Sequence, residues 1–96
     1  MKKDLRYDII SPMYEAGKIE SLLDIFKYIP KSVVAGDLGK KVDRFNRLMN
    51  NVEDFRIAEL IMIGTLCDLD LSQMFKLLET EYLQQQRIQR EEKKST

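Results

Sequence analysis

The sequence predicts an all-α protein built as one compact five-helix domain. Three observations lead to this prediction: the chain has 96 residues, it contains only 2 proline and 4 glycine residues, and its apolar residues recur at intervals of three and four. A chain of this length holds one hydrophobic core, and 44% apolar residues can supply it. We expect a central domain over residues 18–82, preceded by a partly ordered segment, 1–17, and followed by a polar helical tail, 83–96.

The first third of the chain contains one clear helical pattern. In segment 1–17, three alternating apolar residues are typical of a strand without a partner, whereas Ser11 and Pro12 are typical of the start of a helical turn and Gly17 of its end. Residues 18–29 are predicted to form the first helix, which the next proline would end. Its apolar stripe consists of Ile19, Leu22, Leu23, Phe26 and Ile29.

Two short helices are predicted around Gly39, over residues 32–38 and 41–50, with Ser32 as a cap of the first. Two helices that cross beside a turn must approach closely, and a small residue such as Ala35 permits this approach. Gly39 can adopt the left-handed backbone conformation that reverses the chain. The other inward residues of the pair are Val34, Leu38, Val42, Phe45, Leu48 and Met49.

Two longer helices are predicted in the second half of the chain. The fourth spans residues 55–67 with Asp54 as its cap, and Asp70 caps the fifth, where Gln73 completes a capping box. The inward residues of the fourth helix are Ile57, Leu60, Ile61, Gly64 and Cys67. Those of the fifth helix are Leu71, Met74, Phe75, Leu78 and Tyr82.

One side of the predicted helix 41–50 is polar and mostly basic. At about 100° per residue its members lie away from the buried side; they are Lys40, Asp43, Arg44, Asn46, Arg47 and Asn50. The major groove of DNA admits one helix, from which arginine can contact guanine and asparagine can contact adenine through paired hydrogen bonds. The base-reading residues of this hypothesis are Arg44, Asn46, Arg47 and Asn50, and the phosphate-binding residues are Lys31, Ser32, Lys40 and Lys41. An ordinary solvated helix face is the alternative interpretation.

Asp43 is the acidic member of this face, and a carboxylate repels phosphate. Three roles are open: it can favour the helix N-terminus, orient Arg47 four residues on, or accept a hydrogen bond from cytosine. We favour the second role, because the spacing suits an ion pair on one helix face.

The spacing around the turn is the one a helix-turn-helix unit needs, A-x3-G-x5-F-x2-L, carried by Ala35, Gly39, Phe45 and Leu48. Together with the five-helix order, it resembles the Cro/CI-type (lambda-repressor-like) helix-turn-helix family over about residues 18–78. The segments IPKSVVAGDLG and RFNRLMNN are also similar in sequence to segments of short uncharacterised bacterial proteins assigned to this fold. The resemblance implies sequence-specific binding of double-stranded DNA in transcriptional control, often as a dimer. Two positions depart from the family pattern: Lys40 stands where an aliphatic residue is usual, and Asp68 stands where a glycine is frequent. We expect Val42 to pack in the core in place of the missing aliphatic residue.

The charge distribution supports two different functions. The formal net charge is zero, but residues 31–50 carry five basic and two acidic side chains, whereas residues 52–82 carry two basic and seven acidic ones. A positive segment beside a negative one suits a protein with one face on phosphate. The zero sum, the acidic second half and the lysine after the turn favour an alternative, a protein–protein interaction module on the same scaffold that does not bind DNA.

The sequence lacks the residues that several classes of function require. The chain has one cysteine, Cys67, and no histidine, so neither a nucleophile with its base nor a disulfide is predicted, and we do not expect an enzyme. The carboxylates near residues 53–54 and 68–70 are better explained as helix caps than as a metal site. We expect no cofactor, no small-molecule substrate, no membrane association and a cytoplasmic location.

The fifth helix raises the question of a homodimer. Leu71, Phe75, Leu78 and Tyr82 have heptad-like spacing, but beyond them only Leu83 and Ile88 are apolar, which is too short for a stable coiled coil. Either a small patch packs across a two-fold axis, or the polar segment that follows is a solvated extension that frays towards Thr96.

Overall fold

The computed structural model describes the backbone of residues 3–94 and the side chains of residues 3–90. This part of the chain contains no strand and confirms the all-α prediction. Its α-helices are α1 (Ile10–Glu15), α2 (Lys31–Asp37), α3 (Val42–Asn50), α4 (Ile57–Cys67) and α5 (Leu71–Lys94). Three 3₁₀ segments, Leu5–Ile9, Leu22–Lys27 and Val52–Asp54, complete the helical structure. The predicted fraying at Thr96 lies outside the described residues.

The N-terminal segment is helical and belongs to the core. Tyr7 and Ile10 are 1% and 0% exposed. The strand-like alternation was therefore misleading, and the 3₁₀ segment Leu5–Ile9 runs directly into α1. Ser11 lies inside α1 and is not its cap. Gly17, with φ +77°, ends the turn as predicted, and the N–H of the next residue donates to Met13 O at 2.9 Å.

The predicted helix over residues 18–29 is wrong in its backbone and only partly correct in its burial, since Leu23 and Phe26 are half-buried and Ile25, which was not predicted, is fully buried. Only Leu22–Lys27 is helical, as a 3₁₀ segment, because Asp24 Oδ2 accepts the N–H groups of Glu20 (2.9 Å) and Ser21 (3.1 Å) and so starts the segment late. Burial acts to raise the pKa of Asp24, but these backbone donors and the Lys27 ammonium lower it below its ordinary value. The most buried apolar residues of the segment are Ile19, Leu22, Ile25 and Ile29.

Helix α4 starts later than predicted and buries a different side. Its N-cap is Arg56 and not Asp54, and the Arg56 N–H donates to Glu59 Oε1 at 2.8 Å. Ile57 and Ile61, predicted to face inward, are 58% and 46% exposed. The buried residues of α4 are Glu59, Leu60, Ile63, Gly64 and Cys67.

Helix α5 has the predicted capping box, since Gln73 N–H donates to Asp70 Oδ1 (2.8 Å) and Asp70 N–H donates to Gln73 Oε1 (2.9 Å). Its buried stripe is rotated from the predicted one: Phe75 and Tyr82 are 42% and 37% exposed. The buried residues of α5 are Met74, Leu77 and Glu81. Glu81 Oε1 accepts the N–H of Leu23 at 3.0 Å, which fastens α5 to the 3₁₀ segment Leu22–Lys27.

Candidate nucleic-acid interface

A tight turn joins α2 to α3. Gly39 has φ +70°, the left-handed conformation that the sequence predicted. The N–H of Lys40 donates to Ala35 O at 2.9 Å, which closes the end of α2. Ala35 is fully buried where the two helices pack on each other. The chain reversal between α2 and α3 thus follows from a glycine and a small residue four positions apart.

Helix α3 is held to the core by one side only. Phe45 and Met49 are 0% and 1% exposed. The Phe45 ring meets the rings of Phe26 and Phe55 edge to face, with centroid distances of 5.7 and 6.2 Å. Val42 is 42% exposed, so the expectation that it packs in place of an aliphatic residue after the turn is wrong. Helix α3 therefore has one fixed orientation, set by an aromatic anchor.

Lys40 does not lie on the exposed side of α3. Its Nζ forms an ion pair with Glu59 Oε2, and the two side chains are 18% and 11% exposed. Burial acts to raise the pKa of Glu59, but the Lys40 ammonium and the Arg56 N–H lower it below its ordinary value. The pair ties the turn to α4. Lys40 is thus separated from the polar residues with which the sequence grouped it, and its ammonium already has a partner.

The other residues of the predicted face do lie together on α3. Asp43, Arg44, Arg47 and Asn50 are exposed, Asn46 is half-buried, and Lys41 is exposed at the N-cap position. Within the described residues, the side chains of Arg44 and Arg47 make no hydrogen bond or ion pair. No ion pair joins Asp43 to Arg47 either, so the role we favoured for Asp43 is wrong. The guanidinium groups are available for a ligand.

Lys31 and Ser32 lie at the start of α2, across the turn from α3. Lys31 is half-buried and Ser32 is exposed. The N-cap is Pro30, so the prediction that Ser32 caps the helix is wrong. The Ser32 hydroxyl makes no hydrogen bond within the described residues. It is therefore available as a donor beside Lys31.

The described residues contain no group of His, Cys, Asp or Glu side chains that could hold a metal ion. Cys67 is fully buried at the end of α4, and burial raises the pKa of its thiol to about 12. The thiol is therefore protonated at neutral pH and is a poor nucleophile.

One surface feature was not predicted from the sequence. An apolar groove of about 410 Å³ lies beside α5, with Phe75, Leu78 and Tyr82 as its floor and Glu53 and Glu79 at its edge. The sequence predicts that these three apolar residues either face the core or form a small patch across a two-fold axis, and it predicts no groove with an acidic edge. The signal that could have corrected this assignment is Leu77, which fits a stripe with Met74 equally well.

No protein-family model, curated protein or solved structure matches this chain. No helix in the described part of the chain is long and apolar enough to cross a membrane.

Proposed function

We propose that this chain is a sequence-specific DNA-binding protein, a small transcriptional regulator that inserts α3 into the major groove. The observation that carries the proposal is the exposed side of α3, where Arg44 and Arg47 project without a partner while Phe45 holds the opposite side in the core. A rigid helix with unpaired guanidinium groups suits the reading of base edges, because its orientation is fixed before binding. The Cro/CI-type resemblance points to the same function.

The proposal divides the polar residues by role. Arg44 and Arg47 would contact guanine, and Asn46 and Asn50 adenine, each through paired hydrogen bonds. Lys31, Ser32 and Lys41 would bind phosphates and fix the position of the protein on the duplex. Lys40 is omitted from this set, because its ammonium is paired with Glu59. Asp43 is left with the role of a cytosine acceptor or a favourable charge in the first turn of α3.

Selection of bound sequences from a random pool of duplex DNA tests the proposal directly. We expect enrichment of one motif, and a palindrome would also report two-fold symmetry of the bound protein. Enrichment of no motif would contradict sequence-specific binding.

Two substitutions separate base reading from phosphate binding. Arg47→Ala should cost about 1–3 kcal/mol of binding free energy at the selected site and should relax its specificity. Lys41→Ala should weaken binding to all sequences about equally and reduce the slope of log K against log salt by about one. Lys76→Ala, on α5, is the control for loss of a positive charge. Equal affinity of Arg47→Ala and the wild type for the selected site would refute the assignment of Arg47.

A protein–protein interaction module that does not bind DNA is the second candidate. The observation that favours it is the exposed apolar side of α4, where Ile57, Ile61 and Met62 are 58%, 46% and 45% exposed. The zero net charge points the same way. Titration of labelled random duplex at low and moderate salt discriminates the two functions. Micromolar or weaker affinity, together with no enriched motif, would favour the interaction module.

A further inference from the structure

The groove beside α5 combines aromatic rings with carboxylates. Phe75 and Tyr82 on its floor are 42% and 37% exposed, and Leu78 between them is half-buried. Both carboxylates at its edge, Glu53 and Glu79, are exposed, and neither forms an ion pair within the described residues. In the same part of the chain, no basic side chain lines the groove. Its surface therefore attracts a cation and not an anion.

The two carboxylates belong to different elements whose relative position is fixed. Glu79 is on α5, whereas Glu53 is in the last 3₁₀ segment, which packs beside that helix. Gln85 holds the two elements together, because its Nε2 donates to Met49 O at 2.7 Å and its Oε1 accepts the N–H of Val52 at 3.5 Å. Val52 is also fully buried. Both carboxylates are thus positioned before a ligand binds, which lowers the entropic cost of binding.

The floor of the groove suits an elongated ligand. Phe75 and Tyr82 are two helical turns apart on one side of α5, which is about 10 Å along the helix axis at 1.5 Å per residue. Leu78 supplies apolar surface between the two rings, and such surface is best covered by methylene groups. The face of an aromatic ring attracts an ammonium group. An alkyl chain with an ammonium group at each end therefore matches the apolar floor, the rings and the two carboxylates together.

We propose that the groove binds a small organic dication of the alkyl diamine class. One ammonium group pairs with Glu53 and the other with Glu79, and the methylene chain lies on Leu78 between the two rings. Both amines of such a ligand are protonated at neutral pH. The carboxylates remain partly in water, so we expect a dissociation constant on the order of 0.1–1 mM. The site does not include the exposed side of α3, and the inference does not depend on the proposed function.

Titration of the isotope-labelled full chain with the diamine putrescine tests this site by NMR, without DNA, at neutral pH and constant ionic strength. We expect the backbone amide signals of residues 52–54 and 75–82 to shift together and to saturate. Butylamine has the same carbon chain and one charge, so it should bind at least about fivefold more weakly, because one carboxylate stays unpaired. Mg²⁺ has two charges and no alkyl chain, so it should bind at least about tenfold more weakly.

Substitutions assign the contacts to residues. Glu53→Gln and Glu79→Gln should each weaken the binding of putrescine by about fivefold but that of butylamine by no more than about twofold, because a monocation can pair with the remaining carboxylate. Phe75→Leu keeps the apolar floor and should weaken putrescine by about threefold, through loss of a ring face. Glu15→Gln on α1 is the matched control and should have no effect. All four residues are exposed, and far-UV circular dichroism verifies that each variant keeps its helix content.

Groove signals that do not move in putrescine up to about 10 mM would overturn the inference, and so would butylamine or Mg²⁺ that binds as tightly as putrescine. N-acetyl-lysine amide presents the side chain of a partner protein, and tighter binding of it than of putrescine would assign the groove to such a partner instead. Groove signals that shift on dilution of the free chain would assign it to a second copy. A chain that selects a DNA motif without binding putrescine would overturn the diamine site alone, and the reverse result would overturn the proposed function alone.

Discussion

At the scale of single residues, Asp68 has a backbone conformation that glycine adopts most easily. Its φ and ψ are 59° and 42°, and it is the only described residue other than glycine with a positive φ. The left-handed turn ends α4, since the N–H of Leu69 donates to Gly64 O at 2.8 Å. A carboxylate also stands here at the negative end of the helix dipole. Asp68 therefore carries both a conformational and an electrostatic cost.

Replacement of Asp68 by glycine should stabilise the protein. We expect Asp68→Gly to raise the free energy of unfolding by about 0.5–1 kcal/mol, the relief of the left-handed conformation outweighing the added freedom of the unfolded chain. Urea denaturation at neutral pH measures the change. Asp68→Asn removes only the charge and should give the smaller gain. A lower midpoint for Asp68→Gly than for the wild type would show that the aspartate makes a favourable contact.

Two buried carboxylates explain much of what the sequence could not predict. Glu59 is 9% exposed and pairs with Lys40, and Glu81 is 5% exposed and accepts a backbone N–H from Leu23. A glutamate in a helical pattern normally marks the solvent side. Lys40 and Leu23 are distant in sequence from these glutamates, so no spacing indicates that either glutamate faces inward. The predicted buried sides of α4 and α5 are therefore rotated around the helix axis relative to the observed ones.

At the scale of elements, the contact between α4 and the start of α5 depends on Gly64. A Cβ atom at this position would lie 2.6 Å from Leu69 O and 2.9 Å from Met74 Cγ. Both distances are shorter than van der Waals contact, and the first involves backbone that cannot rotate away. The loop between the helices can pass this close only because residue 64 has no side chain.

Gly64→Ala should destabilise the protein by about 1–3 kcal/mol, because the added methyl group must displace the Leu69 carbonyl. Gly36→Ala in α2 is the matched control, since a Cβ there would meet nothing within 4 Å. The control should be neutral or stabilise by up to about 1 kcal/mol, because alanine restricts the unfolded chain. Thermal unfolding of the two variants measures both effects. Equal melting temperatures would mean that the loop yields at little cost.

Some helices were predictable from the sequence pattern and others were not, for a physical reason. Helix α3 has one apolar side and one polar side, so its register followed from the pattern. Helix α4 is apolar around most of its circumference, so its pattern did not select a side. In residues 18–29, intervals of three suit a 3₁₀ helix as well as an α-helix, and the N-terminal signal at Asp24 decided the outcome. The exposed residues of the candidate site were predictable, whereas the partner of Lys40 was not.

At the scale of the whole molecule, the contrast between the basic residues 31–50 and the acidic residues 52–82 is weaker on the protein surface than the sequence alone suggests. Two carboxylates of the acidic half, Glu59 and Glu81, are engaged inside the structure. The exposed side of α3 keeps its two unpaired arginines. Lys40 of the basic segment is paired with Glu59, so the basic character of the candidate interface depends on these two arginines and Lys41, and the proposed binding of DNA would depend on this local charge and not on the net charge.

A hydrogen bond between distant segments also integrates the N-terminus into the domain. The Tyr7 hydroxyl donates to Asp37 Oδ2 at 2.7 Å, joining the 3₁₀ segment Leu5–Ile9 to the end of α2. The Tyr7 ring is 1% exposed. Burial and the bond to Asp37 raise the pKa of Tyr7 well above its ordinary value of 10.0. Asp37 lies two residues before Gly39, so this bond joins the first segment of the chain to the turn that leads to α3.

Tyr7→Phe keeps the ring and removes the bond, and should lower the free energy of unfolding at pH 7 by about 1–2 kcal/mol. Because the pKa is higher in the folded state, the contribution of the Tyr7 hydroxyl is fully present below about pH 10 and decreases as the pH rises above it. The difference between the wild type and Tyr7→Phe should therefore be constant up to about pH 10 and narrow above it. Urea denaturation at pH 7 and up to about pH 11 measures it. Tyr14→Phe is the control at pH 7, because Tyr14 is half-buried and its hydroxyl makes no hydrogen bond within the described residues. A difference that widens with pH would mean that the hydroxyl loses its proton more easily in the folded state, against the direction that burial beside Asp37 requires.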